Sequence, residues 1–422
     1  MKVHFIGIGG IGVSALAQYY LAKGHKVSGS DLVSSEITEL LKEKGIHISL
    51  GPHKAENVPK DVDLVIYSPA VQEDNPERTN RAISYPEALG KLTKEYFTIA
   101  VSGTHGKSTT CSMLSLALIK AGFDPTVIIG TKLKEFNNTN FRIGESKYLV
   151  IEADEWNASF LNYYPQIIVL TNIEREHLDY YRDLDHILET YKEYISHLSS
   201  DGVLIVNGDD ENIAKITNNL ETKKFSLDQG EELKKILKVP GDHNISNALA
   251  VLEVTKVLGI PKKVVYESLA EYQGAWRRFE TKERMINNQK ITLINDYGHH
   301  PTEIRATLKA TREKFPNKRI YCVFQPHQYQ RTYFLFDDFV KVFSNASIDE
   351  IIITDIYDVA GREKSEIKDK VSSKKLVAEI NKDSVKYLEK EDIKKYIENN
   401  IRERDVVVIM GAGDVYKILD ID

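Results

Sequence analysis

The sequence predicts an α/β protein of three domains: a Rossmann-like N-terminal domain, a central ATPase-type α/β domain on a phosphate loop, and a C-terminal Rossmann-like α/β domain. Three observations carry this. Short apolar runs alternate with amphipathic stretches, the rhythm of βαβ units. The chain has 422 residues, and at about 150 residues per domain that length fits three. Two glycine-rich segments each follow an expected strand and open an expected helix, where such folds hold phosphates.

In residues 1–93, Lys2–Ile8 reads as a strand and Val13–Lys23 as a helix opened by glycines. Lys26–Ser30 is a strand ending at Asp31, Ile37–Lys44 a helix, and Leu64–Tyr67 a further strand. Residues 94–273 bring the strand Thr98–Ser102, a helix reaching about Ala121, and strands at Tyr148–Ile151, Ile167–Thr171 and Gly202–Asn207. A helix rich in Tyr and Leu, Asp185–Leu198, lies between the last two. Residues 274–422 open with Trp276-Arg277-Arg278 and carry strands at Ile291–Asn295, Arg319–Phe324, Glu350–Thr354 and Val406–Met410. The Lys- and Glu-rich stretch Arg362–Lys395 reads as a solvated helical face.

Composition excludes several classes. Hydrophobic residues make up 42% and charged residues 28%, ordinary for a globular protein. The net charge is −6, so no basic excess exists to meet a nucleic-acid backbone. No apolar run approaches the ~20 residues of a membrane span. The opening MKVHFIGIGGIG reads as a strand entering a turn, not as a leader. Two cysteines, Cys111 and Cys322, make no disulfide framework. The expectation is a cytoplasmic protein.

Gly7-Ile8-Gly9-Gly10-Ile11-Gly12 fits G-x-G-x-x-G, and Asp31 follows where a ribose-binding acid would sit. Alone, this suggests NAD, although such a loop holds the diphosphate of any nucleotide. Gly103-x-x-Gly106-Lys107-Ser108 puts a lysine and a hydroxyl at a helix start. The lysine suits β- and γ-phosphates and the hydroxyl suits Mg²⁺. Val101 stands where a strict phosphate-loop pattern has its first glycine. A dehydrogenase needs only the first loop and a simple ATPase only the second. Both together point to an ATP-dependent enzyme with a nucleotide-linked substrate.

Glu152-Ala153-Asp154-Glu155 ends a strand beside the second loop, placed to hold Mg²⁺ directly or through water. Thr171-Asn172-Ile173-Glu174-x-x-His177 ends another, where a histidine could bind a second metal or orient a substrate. Asp242-His243-Asn244-x-x-Asn247 precedes an apolar helix, with amides that could read an adenine edge or ribose. Arg278 stands at the apparent join of the second and third units, where domain closure could bring it to a γ-phosphate. Asn295–Glu303 and Gln325–Thr332 are polar clusters at strand ends. No zinc spacing and no G-x-S-x-G elbow occur.

With GIGGIG, GTHGKST, EADE, TNIEREH, HNISNALA, RRFE, DYGHHPTE, FQPHQYQRT and MGAGDVY in this order, the chain resembles the Mur ligase family, which builds the peptide stem of peptidoglycan. The resemblance spans essentially the whole chain. It implies an ATP-dependent amide ligase that joins L-alanine to the lactyl carboxylate of UDP-N-acetylmuramate through an acyl phosphate. A second expectation is a ligase that attaches a recycled peptide to the same sugar. ATP and two Mg²⁺ ions, or Mn²⁺, are the implied cofactors, and a monomer or homodimer is expected. The resemblance assigns Gly103, Thr104, His105, Gly106, Lys107, Ser108, Thr109, Asn244, Asn247, Arg278 and Asp296 to ATP. It assigns Ser108, Glu152 and His177 to metal, and Lys107, Glu152, His177 and Arg278 to catalysis. It assigns Gly9, Gly10, Ile11, Gly12, Asp31, His53 and Ser68 to the UDP substrate, and Tyr297, His299, His300, His327 and Arg331 to the amino acid. Departures are Gln328 where the family carries arginine, Asn295 for an aspartate, and Ser108 for the commoner threonine. Lys192 falls one position off the carbamylated lysine of sibling ligases, so no carbamate is expected.

Overall fold

The computed structural model describes residues 1–359 and 365–419. Three sheets follow one another along the chain. The first contains β1 (Lys2–Ile6), β2 (Lys26–Asp31), β3 (His47–Leu50), β4 (Leu64–Tyr67) and β5 (Ala82–Ser84), all parallel in the order 3-2-1-4-5. The second contains β6 (Phe97–Ser102), β7 (Thr126–Leu133), β8 (Thr139–Arg142), β9 (Tyr148–Glu152), β10 (Ile167–Leu170), β11 (Val203–Asn207) and β12 (Lys223–Phe225). Its order is 12-11-10-6-9-7-8, antiparallel only at β7–β8. The third contains β13 (Glu280–Ile286), β14 (Gln289–Asp296), β15 (Ile320–Phe324), β16 (Glu350–Ile353), β17 (Val385–Tyr387) and β18 (Val406–Met410), in the order 13-14-18-15-16-17. Its one antiparallel pair is the hairpin β13–β14.

Central strands are buried on both faces, which is why they read as unbroken apolar runs. In β18, Val406, Val408 and Met410 pack with Phe324 and Phe339 on one face, while Val407 and Ile409 pack with Ile393 and Ile397 on the other. Helix starts follow local chemistry. Ser84 accepts the Glu87 N–H and Glu87 returns a bond to Ser84 N–H, with Pro86 in the first turn. His300 caps Pro301–Lys314, accepting the Thr302 N–H on Nδ1.

Contacts group the chain into two compact units. One is Met1–Glu174 with Leu184–Ile236 and Ser246–Glu271; the other is Arg175–Asp183 with Leu237–Ile245 and Tyr272–Asp422. Within the first unit, the helix Ile11–Ala22 is fastened to the β7–β8 hairpin. Asn140 of β8 donates to the Ile11 carbonyl and to Ser14 Oγ, and accepts from Gln18 Nε2 at 3.1 Å. This explains why that helix is apolar nearly all round.

Several expectations need adjusting. The helix of the HNISNALA segment is Asp242–Val257, so Asn244 and Asn247 lie inside it, not before it. The stretch 362–395 is not one helical face. Residues 362–364 lie outside the described residues, and beyond them two short helices, β17 and the helix Lys390–Asn400 follow. Lys192 is exposed on Leu184–Ile195. Among the described residues no helix is long and apolar enough to cross a membrane.

Candidate active site

Each sheet delivers its polar residues at the C-terminal ends of adjacent central strands, where parallel sheets bind ligands. In the first sheet, β2, β1 and β4 present Asp31, the Gly7–Gly12 loop and Ser68. Gly7 and Ile8 donate to the Ser30 carbonyl at 2.9 and 3.1 Å. Gly9 N–H donates to Asp31 Oδ2 at 2.8 Å. Asp31 therefore clasps the loop. Ser68 packs against Gly7, and Ile11 begins the helix behind Gly10 and ahead of Gly12. His53 lies beside Ser30, with Nδ1 3.4 Å from Ser30 Oγ and 3.1 Å from the buried Glu77 carboxylate.

In the second sheet, β10, β6 and β9 present Thr171 and Asn172, the loop Gly103–Gly106, and Glu152 to Glu155. The loop is clamped by its neighbour. Thr104 N–H donates to the Asn172 carbonyl at 2.9 Å, and His105 N–H donates to Asn172 Oδ1 at 2.8 Å. Thr171 Oγ1 and Asn172 Nδ2 donate back to the His105 carbonyl at 2.6 and 3.0 Å. Gly106, at φ +84°, turns the chain into Lys107–Lys120, and a Cβ there would collide with Asn247 Oδ1. Thr109 is buried one turn in.

Lys107 points its ammonium at 2.6 Å to the Gly103 carbonyl and at 2.7 Å to Glu155 Oε2. Burial opposes its charge, yet Glu155, Asp154 and Glu152 outweigh burial and raise its pKa. Glu152 accepts the Gly130 N–H at 2.6 Å and the Ser108 hydroxyl at 3.1 Å. That hydroxyl and carboxylate are the oxygen types Mg²⁺ takes. Their spacing is close to the ~3.0 Å edge of an octahedron with ~2.1 Å bonds, so the pair fits the ion. Tyr85 packs its ring on Gly12, with burial, Glu152 and Asp154 raising its pKa.

The second compact unit holds the remaining residues. His177, at φ +53°, donates its N–H to Glu176 Oε1 at 3.0 Å. Glu176 is buried and accepts from Arg331 Nε at 2.9 Å. Burial works against the Glu176 carboxylate, but Arg331 and the nearby His177, His300 and His299 hold its pKa well below normal. Arg331 also donates to His327 Nδ1 and the His327 carbonyl, and His327 stacks on Tyr357. His299 lies 5.8 Å from His327 between ring centres; burial and Arg331 push its pKa down to about 3. His300 is a capping residue: Nδ1 accepts from Thr302, and Nε2 lies 3.3 Å from the Arg175 carbonyl.

Asp296 accepts N–H groups of Phe279 and Gly298, both at 2.8 Å, and burial raises its pKa. Arg278 lies over Tyr297, 3.7 Å from Glu303. The more buried arginine is its neighbour Arg277, which donates to the Gly411 and Gly413 carbonyls and packs between Tyr297 and Tyr416. Asn244 donates to the Pro240 carbonyl at 2.7 Å. Gln328 is buried at φ +72°.

Thus His299, His327 and Arg331 come together, with Tyr297 at the edge, while His300 is committed to its helix. Sequence reasoning missed Glu77, Tyr85, Glu176 and Arg277. It also missed the clamping role of Thr171 and Asn172. The strand-end position of Thr171-Asn172 was a usable signal, and Glu176 and Arg277 lie in the TNIEREH and RRFE motifs; Glu77 and Tyr85 had none.

Comparisons with known proteins agree along the chain. Residues 2–97 match the family model "Mur ligase family, catalytic domain", 101–235 "Mur ligase middle domain", and 277–413 "Mur ligase, glutamate ligase domain". A UDP-N-acetylmuramate–L-alanine ligase of Clostridium botulinum is 41% identical over 99% of this chain and 96% of its own. The protein of that name from Clostridium acetobutylicum is 42% identical over the same shares. The crystal structure of UDP-N-acetylmuramate-alanine ligase from Thermotoga maritima superposes with TM-score 0.79 at 30% identity, covering 99% of this chain and 97% of that one. A MurF ligase of Thermotoga maritima in complex with ADP shares the fold at 16% identity, with TM-score 0.60 over 93% of each chain.

Proposed function

This chain belongs to the Mur ligase family, and we propose that it joins L-alanine to the lactyl carboxylate of UDP-N-acetylmuramate at the expense of ATP. The observation that carries the reading is the Lys107–Ser108–Glu152 group at the head of its phosphate loop. It is the equipment of phosphoryl transfer, and relatives at 41% and 42% identity bear the name UDP-N-acetylmuramate–L-alanine ligase.

A carboxylate does not acylate an amine at neutral pH without activation. A lactyl oxygen attacks the γ-phosphorus of ATP, the bond to ADP breaks, and an acyl phosphate forms. The alanine nitrogen then attacks the acyl carbon, phosphate leaves with the bonding pair, and the nitrogen loses a proton. No enzyme nucleophile is needed. Lys107 and the N–H groups at the start of its helix hold phosphate oxygens, preorganised for the charge that develops there. Glu155 keeps the ammonium charged. Ser108 and Glu152 would hold Mg²⁺, which when bound neutralises phosphate charge.

In the second unit, Arg331 and His327 suit the α-carboxylate of the amino acid. Gln328 removes one positive charge, so this duty rests on Arg331, set in place by Glu176. His299, neutral at physiological pH, offers a polar edge without a second cation. We place the domain boundaries at 93/94 and 273/274, supported by the succession of three sheets. We place the reaction in the cytoplasm, which the two free buried thiols fit.

The test is phosphate release with ATP, Mg²⁺ and UDP-N-acetylmuramate, with and without L-alanine, plus product mass. L-alanine-dependent release with the ligated mass is expected. Release with a peptide but not with L-alanine would transfer the assignment to a peptide ligase.

A further inference from the structure

We propose that Glu77 is a positioning residue for the nucleotide-sugar: it fixes His53 by Nδ1, so that the opposite ring nitrogen, Nε2, donates to the substrate's diphosphate. The proposal rests on the reading of that substrate as UDP-linked.

Glu77 is fully buried, 47 residues along the chain from Ser30 and 24 from His53. Such a carboxylate is costly unless every lone pair is used. Here they are used. Oε1 accepts from His53 Nδ1 at 3.1 Å, from Lys54 N–H at 3.2 Å and from Asn57 Nδ2 at 2.6 Å. Oε2 accepts the Ser30 hydroxyl and faces His4 Nε2 at 3.6 Å. These bonds overcome burial and hold the carboxyl pKa down to about 2. His53 and Asn57, four residues apart around the turn Ala55–Asn57, thus meet one oxygen.

The other oxygen leads to the glycine loop. Ser30, which donates to Oε2, offers its carbonyl to the N–H groups of Gly7 and Ile8. One carboxylate therefore sets both the strand whose carbonyl accepts the loop's N–H groups and the histidine beside it. An ionised carboxylate only accepts, so the nitrogen facing it carries hydrogen. The two histidines differ in access. His4 is sealed, 1% exposed at its side chain, with Nδ1 2.9 Å from Ser28 Oγ. His53 is 14% exposed, and Nε2 lies across its ring from Glu77. Held between two anionic acceptors, Glu77 and the diphosphate, the ring would donate from both nitrogens. Its place at the edge of the loop matches a diphosphate, whose oxygens need donors beyond the loop N–H groups.

The experiment is titration calorimetry of UDP-N-acetylmuramate, UDP and uridine into wild type, Glu77→Gln, His53→Gln and the double variant, with thermal melts alongside. Each single variant is expected to weaken UDP-N-acetylmuramate and UDP at least tenfold and leave uridine and ATP affinity within twofold. Glu77→Gln added to His53→Gln should cost less than twofold more. Additive losses, or a loss that extends to uridine and ATP, would make Glu77 merely structural and overturn the proposal. If Glu77→Gln does not fold, His53→Gln decides alone: unchanged UDP affinity overturns it. A wild-type chain that binds no UDP-N-acetylmuramate fails before any variant is compared, and overturns the functional reading together with this one.

Discussion

Lys107 and Glu155 form a charge pair with little solvent around it, at 15% and 3% side-chain exposure. A pair like this is informative when one partner is removed, because the survivor is left uncompensated at about 3–5 kcal/mol. Lys107→Ala should lower turnover at least ~10³-fold in phosphate release, since a preorganised phosphate contact disappears. Glu155→Gln should act in the opposite sense on the nucleotide. Glu155 occupies the ammonium that a phosphate needs, so the variant should bind ATP several-fold more tightly in calorimetry while melting at lower temperature. Weaker ATP binding by folded Glu155→Gln would refute that account. Lys107, Ser108 and Glu152 were legible from spacing because a phosphate loop is a local pattern. Glu176 was not: its partner Arg331 is 155 residues away, and only folding reveals the pair.

Elements differ in how openly the sequence declares them. The parallel strands β1, β4, β6 and β18 are buried apolar runs, and each was readable to within two residues. The hairpin β7–β8 was not, because its turn relies on Asn137 and Asn138 at φ +54° and +57° and β8 mixes polar and apolar residues. β13, Glu-Thr-Lys-Glu-Arg-Met-Ile at an edge of its sheet, shows no apolar face strong enough to mark a strand. The element that matters most for chemistry is the turn into Lys107–Lys120. Gly106→Ala would place a Cβ on a left-handed residue and against Asn247. The strain alone is about 1–2 kcal/mol. The displaced loop should lose at least tenfold in ATP affinity by calorimetry, with UDP-N-acetylmuramate affinity kept. Equal loss of both ligands would mean general unfolding, not a local block.

At the scale of the molecule, three successive sheets were legible from alternation. The grouping of 175–183 and 237–245 with the C-terminal unit was not, since it depends on contacts far apart in sequence. Whole-chain stability against acid brings these distant sites into one measurement. His299 is held down to about 3 from 6.5, so the stability it contributes is complete above pH 6.5 and falls away toward pH 3. Glu77 is held down to about 2 from 4.5, so its contribution is complete above pH 4.5 and is lost below. Glu176 shifts in the same direction. Asp296, raised by burial, has the opposite sign and favours the fold in acid. Urea unfolding from pH 7 to 3 should therefore show stability declining first through the histidine window and then more steeply below pH 4.5. Glu77→Gln isolates one contribution. The variant lacks the titrating group, so its deficit relative to wild type should stay constant from pH 7 to 5. It should then narrow by roughly 2 kcal/mol by pH 3, because wild type is taking up a proton that the variant cannot. A deficit unchanged across the whole range would mean that the Glu77 network holds the fold by shape alone, with no contribution from its charge.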